Sequence, residues 1–402
     1  MIVKKQTIYY ILSILIILIS TFSYEAHVYN DYYVYFQIVI SGLILFTTFI
    51  FLKYETDLKK EVNSTFSKQF YIWIIFMLMI CNTLMGNFIY HYNNLSSVFN
   101  VILIVICAVF EFYILPSICN KYDKIENKIC NIFIFLCFLF SIISLLIKFE
   151  NGYFLSYRLV QVRNASIFYD PNFAAMILGT GFILNIKNDF NTNKLKKIIY
   201  GITIGFAVFL TGSRGTLLAI VTAIFIYIFV YKKIKIFKKI LLVLIFLVFV
   251  FFGMKFLNSI DFFRTYQGSN KRLEMWSFTI KCILKNPIVG YGYQSVTTFL
   301  HINNFTNAST HNSYVDYAFS YGILCFILFI YLIISTLITA LKNKNEKNDK
   351  YIMTTLFAII NANTILYSFG GVGISSFLFT FFLGLLNYKL RDSKWEVNNE
   401  KT

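Results

Sequence analysis

The sequence predicts an all-α, polytopic integral membrane protein with about twelve transmembrane helices. Three observations predict it. The 402 residues are 58% hydrophobic and 19% aromatic but only 14% charged, too apolar for a soluble chain of this length. Apolar runs near the length that crosses a bilayer recur from end to end. The polar segments between these runs are alternately rich and poor in lysine.

The runs fall at about 7–23, 32–52, 70–90, 97–118, 129–148, 172–186, 198–212, 215–231, 240–258, 318–341, 351–368 and 371–388. Several are short or closely spaced, so ten or eleven spans also fit. The first follows Met1-Ile2-Val3-Lys4-Lys5 and resembles a signal peptide, but it lacks a small-residue cleavage site and reads as an uncleaved helix. The N-terminus and the segments 53–69, 119–128, 187–197, 232–239, 342–350 and 389–402 hold 25 lysines and one arginine. The remaining segments hold five lysines and five arginines. That asymmetry puts both termini in the cytoplasm. Residues 1–390 form a single multi-spanning domain, followed by a short cytoplasmic tail at 391–402. On the outer side, 149–171 is a moderate loop, and 259–317 is the long extracytoplasmic loop that carries most candidate residues.

The net charge of +17 is mostly this topology signal. The lysines are scattered over seven short segments with no soluble basic face, so nucleic acid is not a partner. Of the seven cysteines only Cys282 falls in an outer loop, which rules out an outer disulfide within the chain. No histidine pair has metal-ligand spacing, and neither a metal nor another cofactor is expected.

The arginines run against the positive-inside bias. Arg158, Arg163, Arg214, Arg264 and Arg272 fall outside, and only Arg391 falls inside. Lysine suffices to orient helices. Arginine adds a planar, permanently charged fork that grips phosphate oxygens two at a time. An outward-facing site for a lipid-linked pyrophosphate follows.

Four elements could build it. In the first, Asp170-Pro171-Asn172 ends the loop and opens the next span, with Asp as N-cap and Pro at the first helical position. A cap alone would explain it. Arg158 and Arg163 lie within reach of a lipid phosphate but also read as plain loop charges. The second element, Thr211-Gly212-Ser213-Arg214-Gly215-Thr216, is a tight turn between adjacent spans. Its glycines let the backbone present N–H groups at a helix N-terminus, a ready anion site, with Arg214 and Ser213 beside it. The alternative for Arg214 is a snorkelling anchor, a task this chain gives elsewhere to lysine.

The third element is a short helix from Lys271 to about Lys285. Leu273, Trp276, Ile280 and Ile283/Leu284 recur on one apolar face, which predicts a helix lying along the membrane surface. Arg272 sits in its first turn. Trp276 is a packing residue or a sugar-stacking platform. Asn286-Pro287 ends the helix, and Gly290-Tyr291-Gly292-Tyr293 turns. In the fourth element, Thr310-His311-Asn312-Ser313-Tyr314, the loop re-enters the membrane. His311 can carry a proton near neutral pH, with Asn312 and Asp316 nearby to orient it. Glu111 is a lone acid inside the fourth span, either functional or hydrogen-bonded to a neighbouring helix.

In order and spacing these stretches resemble the O-antigen polymerase and O-antigen ligase superfamily of bacterial envelope enzymes. The matching residues are Asp170-Pro171-Asn172 with Ala174-Ala175, then Thr211 to Gly215, then Arg272 to Trp276 with Asn286 to Gly292, then His311-Asn312-Ser313-Tyr314 with Gly322-Ile323. The resemblance covers about 158–325. It implies a GT-C-like, metal-independent glycosyltransferase of the cytoplasmic membrane with an extracytoplasmic active site. Such an enzyme moves a glycan from undecaprenyl pyrophosphate to an acceptor glycan or lipid. On this basis Arg214, Arg272, His311 and Asp170 are the catalytic candidates. Arg158, Arg163, Arg264, Ser213, Asn312, Tyr314 and Trp276 would bind pyrophosphate or glycan. Chain-length regulator and flippase proteins are the expected protein partners.

Composition rich in Lys, Asn, Ile, Phe and Tyr, as in AT-rich polysaccharide gene clusters, leans toward a repeat-unit polymerase over a ligase that uses lipid A core. A flippase or transporter would also have many spans with both termini inside. It would show internal repeats and mid-membrane charges. No repeat is visible, and the polar residues gather at one face.

Overall fold

A computed structural model describes residues 2–23, 32–56, 59, 62–63, 69–90, 95–150, 163–168, 170–187, 193–232, 235–258, 272–293, 295–305, 309–342, 348–365, 367–371 and 373–399. Among them the chain is helical with irregular connections and no strand. In order the helices are α1 (Ile2–Ser23), α2 (Tyr32–Tyr54), α3 (Phe70–Tyr90), α4 (Leu95–Val109), α5 (Leu115–Lys121), α6 (Asp123–Glu150), α7 (Pro171–Ile186) and α8 (Lys194–Leu210). They continue as α9 (Arg214–Ile226), α10 (Ile236–Asn258), α11 (Arg272–Lys285), α12 (Ser295–Ile302), α13 (Ser313–Lys342), α14 (Asp349–Asn361) and α15 (Ile374–Asn399).

Among the described residues each apolar run lies mainly on a helix. Four described stretches are long and apolar enough to cross a membrane: Ser97–Lys121, Ile125–Lys148, Arg214–Tyr231 and Ser313–Lys342. Pro171–Ile186 and Ile374–Tyr388 are among the shorter apolar helices. Twelve spans therefore stays an expectation, while the all-α polytopic class holds. One boundary needs correction. The eleventh run, expected to reach residue 368, stops being helical at Asn361, and a polar turn replaces its last third.

Local chemistry explains the irregularities. The run 95–121 is interrupted by a π turn at Phe110–Ile114, where Leu115 N–H reaches back to Phe110 O. Pro116 has no N–H to offer Phe112, so the α ladder cannot continue unbroken. Gly384 packs against that loosened turn, and a Cβ there would lie 2.6 Å from Phe112 O. Glu111, fully buried in the π turn, faces the Gly371 N–H and the Thr380 hydroxyl without a hydrogen bond of full geometry.

The two ends of the bundle differ. At the lysine-rich end, Glu55 pairs with Lys121 at 2.6 Å and Lys5 at 3.7 Å. Glu126 pairs with Lys350 at 2.7 Å and accepts from the Tyr351 hydroxyl. Asp349 pairs with Lys232 at 3.0 Å and Lys187 at 3.6 Å. The opposite end is recessed. α14 has 13 residues and rises about 20 Å, against a hydrocarbon core of about 30 Å. Starting with Asp349 among the lysines, it ends well inside the bundle.

α11, expected to lie along the membrane surface, has one face against protein. It packs on α13, and the turn after it reaches Asn82 of α3, whose amide donates to Ile288 O at 3.2 Å and Tyr321 O at 2.6 Å. Asn82 lies eight residues (90 − 82), or about 12 Å of helix, before the end of α3 at Tyr90. α11, the turn and α12 thus form a re-entrant hairpin. α13 breaks to receive it: Gly322 is at φ 80, ψ 164, and a Cβ there would lie 2.1 Å from Ile288 O. Tyr291 N and Gly292 N donate to Phe319 O and Ser320 O, and Ile323 N donates to Pro287 O at 2.7 Å. Irregular backbone at this depth is tolerated because its polar groups are satisfied within the protein.

The face of α11 that meets protein is not the expected one. Met275, Thr279 and Cys282 are buried with Ile283, whereas Leu273, Ile280 and Leu284 are exposed. The helix has two apolar faces, and the one that the period picked out is largely the face turned away from the protein.

Candidate functional site

Asp170 is extended, and its carboxylate accepts the Asn172 N–H at 2.6 Å, capping α7 with Pro171 at the first helical position. Beside it, Arg163 donates from Nε to Thr211 O at 2.7 Å and from a terminal nitrogen to Asn172 Oδ1 at 2.8 Å. Asn164 N donates to Leu210 O at 3.0 Å. The segment around 163 therefore straps the start of α7 to the α8–α9 turn. Arg163, expected to bind substrate, is a latch.

The α8–α9 turn is as tight as expected, with Gly212 at φ 64. Ser213 occupies the N-cap of α9 without making a side-chain cap bond. Its hydroxyl donates instead to Thr216 Oγ1 at 3.2 Å. The first N–H groups of α9 are thus left uncapped by Ser213, beside Arg214 in its first turn. Ser213 belongs to the support beneath the turn. Gly215 is required there, since a Cβ would lie 2.7 Å from the Thr364 side chain.

Arg272 opens α11. Trp276, one turn on, donates from its indole nitrogen to Thr310 O at 2.8 Å, tying the hairpin to the turn that bears His311. Asp316 Oδ1 accepts from the Thr310 hydroxyl at 2.6 Å and from its N–H at 3.3 Å. Asn312 Oδ1 caps α13, accepting from Tyr314 N at 3.0 Å and Val315 N at 3.2 Å. Neither residue orients the imidazole as expected; they brace the backbone on either side of it. The Tyr314 hydroxyl donates to Ile359 O at 2.7 Å and binds α13 to α14. His311 is held at φ 54, the left-handed region, which costs a non-glycine residue energy and often marks a working position.

Arg214, Arg272, Asp170 and His311 converge. Burial draws the Arg272 guanidinium below its ordinary value, the Asp170 carboxylate raises it, and Arg214 lowers it again. Burial and the Arg272 charge push His311 below its usual 6.5, with Asp170 partly opposing them. Both effects favour the neutral imidazole, the form able to accept a proton. Among the described residues, neither Arg214 nor Arg272 has an ion pair or side-chain hydrogen bond, and neither ring nitrogen of His311 has a hydrogen-bond partner. Arg158 and Arg264 lie outside the described residues. Among those described, no three of His, Cys, Asp and Glu gather as metal ligands would.

Sequence reasoning missed the floor of the site, the turn after α14. Thr216 Oγ1 donates to Asn361 Oδ1 at 3.2 Å, and Asn361 Nδ2 donates to the Tyr367 hydroxyl at 3.2 Å. Ser313 N donates to Ala362 O, while its hydroxyl accepts from Tyr367 N and donates to Ile365 O, both at 2.7 Å. The polar cluster Asn361-Ala362-Asn363-Thr364 inside an apolar run was the signal that could have found it.

An all-helical bundle of apolar helices, with Arg214, Arg272, Asp170 and His311 close together, defines a class, the all-α polytopic membrane proteins. Residues 199–330 match the O-antigen ligase family model, a stretch that includes Arg214, Arg272 and His311 but neither Asp170 nor Asn361. The chain is also similar to the ComP-specific O-oligosaccharyltransferase of Acinetobacter baylyi (strain ATCC 33305 / BD413 / ADP1), at 24% identity over 335 residues. That match covers 77% of this chain and 59% of the relative. Both findings support the O-antigen ligase and polymerase superfamily.

Proposed function

We propose that this protein is a glycosyltransferase acting at the outer face of the bacterial cytoplasmic membrane. It moves a glycan from undecaprenyl pyrophosphate to an acceptor hydroxyl. The observation that carries this reading is the pair of guanidinium groups, Arg214 and Arg272, beside His311 and without protein partners among the described residues.

In the reaction, the acceptor oxygen bonds to the anomeric carbon as the bond from that carbon to the pyrophosphate oxygen breaks. Negative charge grows on the departing pyrophosphate. Arg214, Arg272 and the uncapped start of α9 would stabilise it as donors, and their lack of protein partners among the described residues supports that role. His311 takes the proton of the attacking hydroxyl, with Asp170 as the second candidate base. Holding both glycans in one recess converts an encounter in the membrane into a local event.

We take the acceptor to be a second lipid-linked repeat unit, so that the product is an O-antigen or capsular polysaccharide. Support comes from the Lys-, Asn-, Ile-, Phe- and Tyr-rich composition shared by polysaccharide gene clusters. A ligase that delivers the glycan to lipid A core or another acceptor is the second reading, favoured by the description of the matched family and the relative's name. Flippase and chain-length regulator proteins would work beside either. One experiment decides. Purified protein given only a lipid-linked repeat unit should produce a ladder of longer lipid-linked glycans on a gel. A product that forms only when lipid A core or an acceptor protein is added moves the assignment to ligase. No transfer to any of these acceptors removes the glycosyltransferase reading.

A further inference from the structure

Five buried side chains connect the α9 helix start to the His311 turn by way of the floor. Ser213 donates to Thr216, Thr216 donates to Asn361, and Asn361 donates to Tyr367. The Tyr367 backbone in turn donates to Ser313, two residues beyond His311. Asn361 is fully buried and Thr216 is 1% exposed. Asn361 Oδ1 takes a second hydrogen bond from Thr364 Oγ1 at 3.1 Å, and Gly215 lies against that same threonine. One end of the chain of bonds therefore fixes where Arg214 projects, and the other fixes where His311 projects.

We infer that Asn361 and Thr216 are positioning residues that set the separation between the leaving-group cation Arg214 and the base His311. The inference rests on the function proposed above for those two groups. Neither Asn361 nor Thr216 points a free polar atom at the recess: Asn361 uses both its amide groups on the network, and Thr216 both donates and accepts. Their effect on chemistry runs through geometry. Loss of the link lets the two halves of the site drift, and a displacement of about 1 Å between reacting groups lowers a rate by up to roughly 100-fold. Donor binding draws also on Arg272, which its own helix holds independently of the link, so it changes less. Asn361 lies beyond the family-matched residues 199–330, so the device ties that segment to a turn outside it.

The test compares Thr216→Val with Thr216→Ser. Valine keeps the methyl that packs near Gly179 but neither donates nor accepts; serine keeps the hydroxyl. Both are measured in the full-length detergent-purified protein for transfer from the lipid-linked repeat unit, and by amide hydrogen exchange. Thr216→Val should lower kcat by roughly 10- to 100-fold with the KM for donor within about twofold of wild type. Thr216→Ser should recover most of that loss. In exchange, Thr216→Val should open the 309–316 segment together with 211–217, although among the described residues no hydrogen bond joins residue 216 to the former except through the floor. A wild-type kcat in Thr216→Val overturns the inference. So does a loss confined to KM. If the wild-type protein transfers nothing, the proposed function fails on its own, and exchange then decides: opening of 309–316 keeps the coupling, and opening of 211–217 alone ends it. Asn361→Leu, tested the same way, guards against a defect peculiar to residue 216.

Discussion

The lysine-rich end and the recessed end use charge in opposite ways. At the first, Glu55, Glu126 and Asp349 each hold one or two lysines within 4 Å, and the bridges join helices far apart in sequence. At the second, Arg214 and Arg272 sit near each other with no ion pair within 4 Å among the described residues, and Asp170 favours the Arg272 charge more than Arg214 disfavours it. Two guanidinium groups beside one carboxylate leave net positive charge, which is the ground for proposing an anionic substrate there. Arg163 sharpens the contrast: it belongs to the same end, yet its guanidinium is committed to Thr211 and Asn172. Position on the arginine-rich side does not by itself mark a site residue; an uncommitted guanidinium is the better ground for proposing one.

The largest way to break this comparison is at His311. His311→Ala should lose transfer by about 10²–10⁴-fold while donor affinity is kept, as for removal of a general base. Normal product at wild-type protein levels would pass the role to Asp170. Next come the two guanidinium groups. Arg214→Lys and Arg272→Lys should each reduce transfer nearly as much as alanine, on the order of 10²-fold, because a point charge cannot reproduce the fork. Full activity in a lysine variant would make that residue an anchor. The other end should respond in stability alone. Lys350→Ala leaves the buried Glu126 carboxylate without Lys350 and should cost about 3–5 kcal/mol, read as a lower midpoint of thermal unfolding. Its activity per folded molecule should match wild type, and a selective loss of transfer would join the two ends functionally.

The smallest effect is a titration. His311 acts in its neutral form, so the rate should fall on the acid side as the imidazole takes up a proton. That limb lies below 6.5, because burial and Arg272 disfavour the cation. Asp170 opposes them. Asp170→Asn, which still caps α7, removes a negative neighbour, makes protonation harder and should move the limb to lower pH. Movement to higher pH would separate Asp170 from the surroundings of His311.

Much of this was legible in the sequence, and what was not has a physical reason. Helices followed from apolar runs because in a membrane the backbone must satisfy itself. The Asp170 cap and the Gly212 turn were legible since their residues act on their own neighbours in the chain. Arg214, Arg272 and His311 stood out as residue types that anchoring or packing alone does not need. The floor was hidden because Asn361 and Tyr367 act on partners up to 145 residues away, and local spacing carries no trace of that. The depth of α11 was hidden for a related reason. Periodicity shows that a helix has an apolar face, but Met275, Thr279 and Cys282 meet protein only because α13 breaks at Gly322.

That break bears on the order in which the molecule is made. The turn at Pro287–Gly292 depends on Asn82, synthesised about 200 residues earlier, and on Phe319–Ile323, synthesised about 30 residues later. Until α13 is in place, the Tyr291, Gly292 and Pro287 backbone groups lack the partners that α13 gives them, and only the bonds to Asn82 and within the turn can form. The floor beneath Arg214 comes later still, with Asn361. The supports of the hairpin and of the turn at Arg214 are therefore complete only once α13 and α14 have joined the helices that precede them.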